Sequence, residues 1–234
     1  MSAVSPTISK RATKRPTDRR QAIVQAAATL FAKIGFNDCE MQRVASRLRI
    51  AKGTLYLYFS SKEELFNACV DWEMQQMQEA LAKATEGITD PFDRIAKAIL
   101  AYLVFFDQNP DYVELLIQER AIFRGRKRPR YFEYRDANRG PWRELYIDLV
   151  RTGRVRSDIP VERIMDTMGS LLYGTMFTNY FIGRSVSMAD QFTAIFQIVM
   201  RGILTDEERE ARPAEGSSNG KTICYNKGLP ESNL

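Results

Sequence analysis

The stretch that most constrains this chain is residues 51–59, Ala-Lys-Gly-Thr-Leu-Tyr-Leu-Tyr-Phe, read together with the segment just ahead of it. Within 40–48 the apolar residues Met41, Val44, Ala45 and Leu48 recur at helical spacing, so a short amphipathic helix is expected there. Only Arg49 and Ile50 separate it from a second helix carrying Leu55 and Phe59 at i and i+4. Two short helices joined so tightly outline a helix-turn-helix over 40–59. Leu55 and Phe59 anchor the second helix. Lys52, Thr54, Tyr56 and Tyr58 turn away from that stripe, and all four side chains donate hydrogen bonds.

Further motifs flank this unit in register: Ile23-Val24-x-x-Ala27-x-x-Leu30-Phe31, Gly35-Phe36, Val44-Ala45, Lys52-Gly53-Thr54-Leu55-Tyr56-x-Tyr58-Phe59 and Ser61-Lys62-Glu63-Glu64-Leu65. On these residues 20–70 resemble the DNA-binding domain of the tetracycline-repressor (TetR) family of bacterial transcriptional regulators. The resemblance implies that Gln42, Arg43, Lys52, Thr54, Tyr56 and Tyr58 face DNA, and that Gly53 lets the backbone approach closely. It also implies that Arg19, Arg20 and Lys62 hold phosphates. Arg43 and Lys52 are the expected base readers, because Arg and Lys match the guanine acceptors.

Three positions depart from the family pattern. Arg49 stands where the turn usually has Gly, Ala51 where Ser or Thr usually opens the recognition helix, and Cys39-Glu40 where a hydroxyl pair usually opens the helix before it. Either Arg49 takes a positive φ, at a cost of roughly 1 to 2 kcal/mol, or the turn has another geometry. A missing N-cap costs about 0.5 to 2 kcal/mol, which packing of Leu55 and Phe59 can offset.

Charge separates the chain into two parts. Residues 10–65 hold twelve basic and five acidic side chains, a balance of +7, while the whole chain carries +5 and the remainder therefore about −2. A basic end on a near-neutral body points to a polyanion partner for the first part alone, double-stranded DNA on this reading. The chain has no histidine, which removes Ser-His-Asp and Cys-His catalysis and the commonest nitrogen ligand of zinc. Cys39, Cys69 and Cys224 are too scattered for a disulfide framework or a paired metal motif. No enzyme activity, cofactor or metal is expected. Cys39 reads as a small half-buried residue in preference to a redox sensor.

Residues 1–20 are polar and basic without an apolar run, so no signal peptide is read there. Residues 167–183 are uncharged but contain Ser170, Thr175, Thr178, Asn179 and three glycines; burial between helices is expected, not a membrane span. These readings place the protein in the cytoplasm, on the nucleoid.

Along the chain, residues 1–16 read as a disordered basic arm. Thr17 or Asp18 caps a first helix with Ile23, Ala27, Leu30 and Phe31 inward, ended by Gly35. Ser61 and Glu64 form a capping box for a long helix from Lys62 to about Glu86, which in the family joins the DNA reader to the regulatory body. Asp90-Pro91 and Asn109-Pro110 each read as N-cap and first helical residue. Residues 120–130 carry six basic side chains and no acid, the pattern of a solvated loop or of a cationic rim for an anionic effector or acidic partner. A break is expected at Gly140-Pro141, and the last two helices span 161–182 and 188–204, with Ser187 as a cap.

The expected architecture is all-α: a three-helix DNA-binding domain at 17–77 and a helical ligand-binding and dimerisation bundle at 78–206, about nine helices in all, then a disordered tail at 207–234. Aromatics proposed to line an effector pocket are Tyr102, Phe105, Phe106, Trp142, Tyr173 and Phe177. The helix over 161–182 is apolar on more than one face, so Leu171, Leu172, Gly174, Met176, Phe196 and Met200 are proposed for a dimer interface. The chain reads as a homodimeric repressor on a near-palindromic operator, released by an apolar or anionic small molecule. The other reading is a DNA-bound interaction protein whose loop 120–130 docks an acidic partner.

Overall fold

The computed structural model describes residues 16–211, so the expected basic arm and most of the expected tail lie outside the described residues. Eleven helices make up the described chain: α1 (Pro16–Ile34), α2 (Met41–Arg47), α3 (Lys52–Tyr56), α4 (Lys62–Thr85), α5 (Pro91–Gln108), α6 (Pro110–Ile122), α7 (Arg130–Ala137), α8 (Gly140–Arg151), α9 (Val161–Ile182), α10 (Met188–Ile203) and α11 (Asp206–Ala211). The chain divides into two compact units after Cys69, within α4, where the sequence reading put the boundary at 77/78.

The first unit is held by hydrocarbon, not by caps. Glu40 and Ala51 precede α2 and α3 in extended conformation, and neither side chain caps its helix. Met41, Val44 and Ala45 from α2, Leu55 and Phe59 around α3, and Ile23, Ala27 and Phe31 of α1 are all buried, and α2 packs against both α1 and α3. Phe31, Phe36 and Phe66 close the cluster, with ring centroids 5.2 to 5.8 Å apart. Each such side chain stabilises the unit by about 1.5 to 3 kcal/mol on burial, more than an absent cap costs. Gly35 ends α1 at φ 81, its N–H donating to the Phe31 carbonyl. Arg49 takes φ 54 and is the one non-glycine at positive φ among the described residues. Of the two possible turns, the chain adopts the strained one.

At the start of α4 the capping box is displaced by one residue. Ser61 Oγ accepts from the Glu64 N–H at 3.0 Å, but the Glu64 carboxylate reaches back to the Ser60 N–H and hydroxyl, each at 2.7 Å. These two bonds from Ser60 hold the Glu64 carboxyl below its ordinary value.

In the second unit α5 is the central helix. It buries Phe92, Ile95, Ile99, Leu103 and Phe106 and packs against α6, α9 and α10. Asp90 caps it as expected, Oδ1 accepting from Phe92 and Asp93 N–H at 2.9 and 3.0 Å. Asn109 does not repeat the device. Its amide donates backward to the Phe105 carbonyl at 2.7 Å, so it closes α5 and leaves Pro110 alone to open α6. Ser187 caps α10 through the Asp190 N–H.

Two expectations are corrected here. The tail does not begin at 207: Asp206–Ala211 form α11. Thr205 accepts the Arg209 N–H, and Glu208 pairs with Arg154 at 2.9 Å, which supplies the tertiary anchor that its acidic sequence did not advertise. In the proposed dimer set, Met176, Phe196 and Met200 are buried within the subunit, because α9 and α10 turn those residues toward α5. Leu171, Phe181, Ile182, Val186 and Ile198 are the large apolar side chains left exposed on this part of the chain. No described helix is long and apolar enough to cross a membrane.

Candidate functional site

The residues expected to face DNA lie on α1, α2, α3 and the start of α4 in the first unit. Arg19, Arg20, Gln42, Arg43, Lys52 and Gly53 are exposed, Thr54 and Tyr58 half-buried, and Tyr56 44 % exposed. Gly53 has nothing within 4 Å of where a Cβ would stand, so the backbone there is open to close approach. The Lys52 ammonium lies 5.9 Å from the Tyr56 ring centroid, and the Arg20 guanidinium 4.7 Å from that of Phe59. Gln42 donates to the Ser46 hydroxyl at 3.3 Å. Such weak contacts orient a cation or an amide without neutralising it.

Lys62 differs. Its ammonium donates to the Phe36 and Asn37 carbonyls at 2.8 and 3.1 Å and sits 4.5 Å over the Phe36 ring. It clasps the turn after α1, with one of its three donors left over. Sequence reasoning missed Leu57, which follows α3 and is 83 % exposed. Its signal was present: it is an apolar residue off the Leu55/Phe59 stripe. Cys39 is fully buried, and burial pushes its thiol up despite the nearby Lys62 and Arg43, so it is inert packing.

The second unit holds a cavity of about 170 Å³ between α4, α5, α7, α8 and α9. Met77 and Leu81, Ile95 and Ile99, Met165, Met168 and Leu172 supply most of its wall. Tyr102, Tyr131, Trp142 and Tyr146 add aromatic surface, and Gln78, Arg135, Asn138 and Arg139 are the polar lining. Of the six aromatics proposed for a pocket, Tyr102 and Trp142 line it. Phe106 and Tyr102 line a second cavity of about 180 Å³ with Asp107, Asn179 and Tyr180. Phe105 packs on Phe106 and Tyr112, while Tyr173 and Phe177 stack with Tyr131, Phe132 and Phe181, outside both cavities. Tyr102 and Tyr131 share a hydrogen bond of 2.8 Å between their hydroxyls. Burial pushes Tyr131 up to about 12, against the opposing pull of that bond and of Arg135. Both phenols are therefore neutral donors at physiological pH.

Half of the six cations in the basic run 120–130 pair with the unit's own carboxylates. Glu119, 1 % exposed, pairs with Arg126 and accepts the Arg130 N–H at 3.1 Å. Arg128 pairs with Asp136, and Arg130 with Asp71 at 2.6 Å. Arg120 and Arg124 donate to the carbonyls of Arg124 and Ala121.

Comparison with known proteins bears on both units. Residues 23–69 match the family model of bacterial regulatory proteins, tetR family. The transcriptional regulator HbdR of Aromatoleum sp. (strain CIB) is 24 % identical over 111 residues, 47 % of this chain and 48 % of that protein. The transcriptional repressor KstR2 of Mycolicibacterium smegmatis is 25 % identical over 158 residues, 64 % of this chain and 74 % of that protein. The chain thus spans about half the length of the first of these relatives. In fold it is similar to the ketosteroid transcriptional regulator KstR2 of Mycobacterium tuberculosis, with a TM-score of 0.58 at 19 % identity, over 84 % of this chain and all of that one. A helix-turn-helix matched by a family model is joined to a helical body similar in fold to that regulator: residues 23–69 carry the DNA-binding domain of the tetR family of bacterial regulatory proteins.

Proposed function

We propose that this protein is a DNA-binding transcriptional regulator, a homodimeric repressor released from a near-palindromic operator by a small molecule. The observation that carries the reading is the exposed, unneutralised set Arg19, Arg43, Lys52 and Tyr56 on a helix-turn-helix whose apolar side is buried. Two such units in a dimer would enter successive major grooves about 34 to 36 Å apart. Arg43 and Lys52 read guanine acceptors, Tyr56 and Arg19 hold the backbone, and Leu57 meets a thymine methyl. The exposed Leu171, Phe181, Ile182 and Ile198 on α9 and α10 suit a second copy, since isologous interfaces bury such faces.

The effector site on this reading is the 170 Å³ cavity of the second unit. A ligand shifts DNA affinity only by its differential affinity for the two conformations of the regulator. The partner-docking reading of loop 120–130 is weakened by the internal pairing of Arg126, Arg128 and Arg130 and would rest on Arg120, Arg124 and Lys127.

The test is fluorescence anisotropy with duplex DNA from immediately upstream of the protein's own gene, against a scrambled duplex. Specific binding is expected at about 10⁻⁸ to 10⁻¹¹ M and non-specific binding at about 10⁻⁴ to 10⁻⁶ M. Equal, weak binding of both duplexes by the wild-type protein counts against the reading; tight binding that Lys52→Ala removes supports it.

A further inference from the structure

The apolar cavity of the second unit has one charge feature that its surroundings cancel only in part. No acidic residue lines it, whereas Arg135 and Arg139 do. Arg139 is balanced: it pairs with Asp166 at 2.7 Å and donates to the Glu162 carbonyl. Arg135 is not. Its Nε and Nη2 both turn to Asp136 Oδ1 at 3.0 Å, and the other oxygen of that carboxylate is taken by Arg128. One carboxylate thus serves two guanidinium groups. The remaining nitrogen, Arg135 Nη1, has no hydrogen-bond partner among the described residues and lies 3.6 Å from where a Cβ on Gly169 would stand, along the α9 wall of the cavity.

Size and lining narrow the occupant further. A cavity of about 150 Å³ holds benzene, so 170 Å³ suits one ring and a short arm. Thioethers and an indole favour an aromatic ring edge over a flexible chain. An ammonium ligand would meet two arginines and no acid.

We infer that the cavity binds a compact aryl carboxylate, with its carboxylate on Arg135 Nη1 and its ring among Met77, Trp142 and Met168. This inference rests on the effector reading for its regulatory meaning, but its chemistry stands on the cavity alone. A charge-assisted hydrogen bond is the strongest polar contact available there.

Calorimetry on the full chain with 3-phenylpropanoate and its neutral counterpart 3-phenylpropan-1-ol tests it. The acid is expected to bind at least about tenfold more tightly than the alcohol, and Arg135→Gln to weaken the acid by about ten- to a hundredfold while leaving the alcohol unchanged. Arg135→Lys, which keeps the charge, should retain part of the preference, and Ile99→Trp, which fills the cavity, should remove both ligands. Equal binding of acid and alcohol, a preference that survives Arg135→Gln, or no binding of either at millimolar concentration overturns the inference. Anisotropy on the upstream duplex separates the two readings. Acid bound with unchanged DNA affinity sinks the effector reading and keeps the ligand class. DNA release by the alcohol but not the acid does the reverse.

Discussion

Two segments of this chain are rich in cations, and the structure treats them in opposite ways. Around α2 and α3, Arg43, Lys52 and Arg49 are exposed, and Lys52 lies over the Tyr56 ring. Between α6 and α7, the denser run 120–130 is folded onto Glu119, Asp136 and Asp71. In sequence the second segment looks the more eager for an anion. What decides the matter is not the density of positive charge but which carboxylates the fold delivers, and Asp71 arrives from 59 residues away.

The comparison can be broken most violently at Glu119. Removing this buried acceptor takes a carboxylate from Arg126 and its acceptor from the Arg130 N–H, so Glu119→Ala is expected to cost about 3 to 5 kcal/mol and lower the melting temperature by roughly 6 to 20 °C. A drop under 2 °C in differential scanning fluorimetry would mean that loop 120–130 is solvated after all. Lys52→Ala should do the opposite: no change in melting temperature, but about 1 to 3 kcal/mol lost in affinity for the operator duplex. Arg128→Gln, the matched control from the other segment, should leave that affinity where it is.

Glu73 extends the contrast to a buried acid that found no cation. It is 0 % exposed, neither carboxyl oxygen has a hydrogen-bond partner among the described residues, and burial, with a smaller push from Asp111, raises its pKa well above 4.5. The folded state therefore holds a proton that the unfolded chain releases near pH 4.5. The stability this proton carries is complete below that pH and is lost as pH rises toward the raised value. Glu73→Gln should raise the melting temperature by about 2 to 4 °C at pH 8 and leave it nearly unchanged at pH 4.5. Equal gains at both pH values would show that the carboxyl does not titrate in this window. The smallest effect concerns the turn: Arg49→Gly relieves the positive φ but loosens the unfolded chain, for a net gain of about 0.5 kcal/mol in chemical denaturation.

What the sequence made legible follows the range of the interactions involved. The helix-turn-helix rests on Leu55 and Phe59 four residues apart, and Asp90-Pro91 caps a helix beginning at the next residue; both were readable because both are local. Asn109 carried the same local signal, and a contact with Phe105 reassigned it. Phe196 and Met200 lay on the helix named for dimerisation, but their direction depended on where α5 stands. The cavity was half legible for the same reason. Tyr102 and Trp142 were found by residue type, whereas Arg135 could be chosen only once α7, α9 and the Asp136–Arg128 pair were placed.

Tyr102 borders the cavities of about 170 and 180 Å³ in the second unit, which are nearly equal in volume. The space open to a ligand is for that reason stepped, not graded. With the ring in place the two are separate compartments, and Tyr102→Ala is expected to open one onto the other. A lineage of such proteins could therefore change the size class of what it responds to by a single substitution, with no intermediate of gradually widening fit.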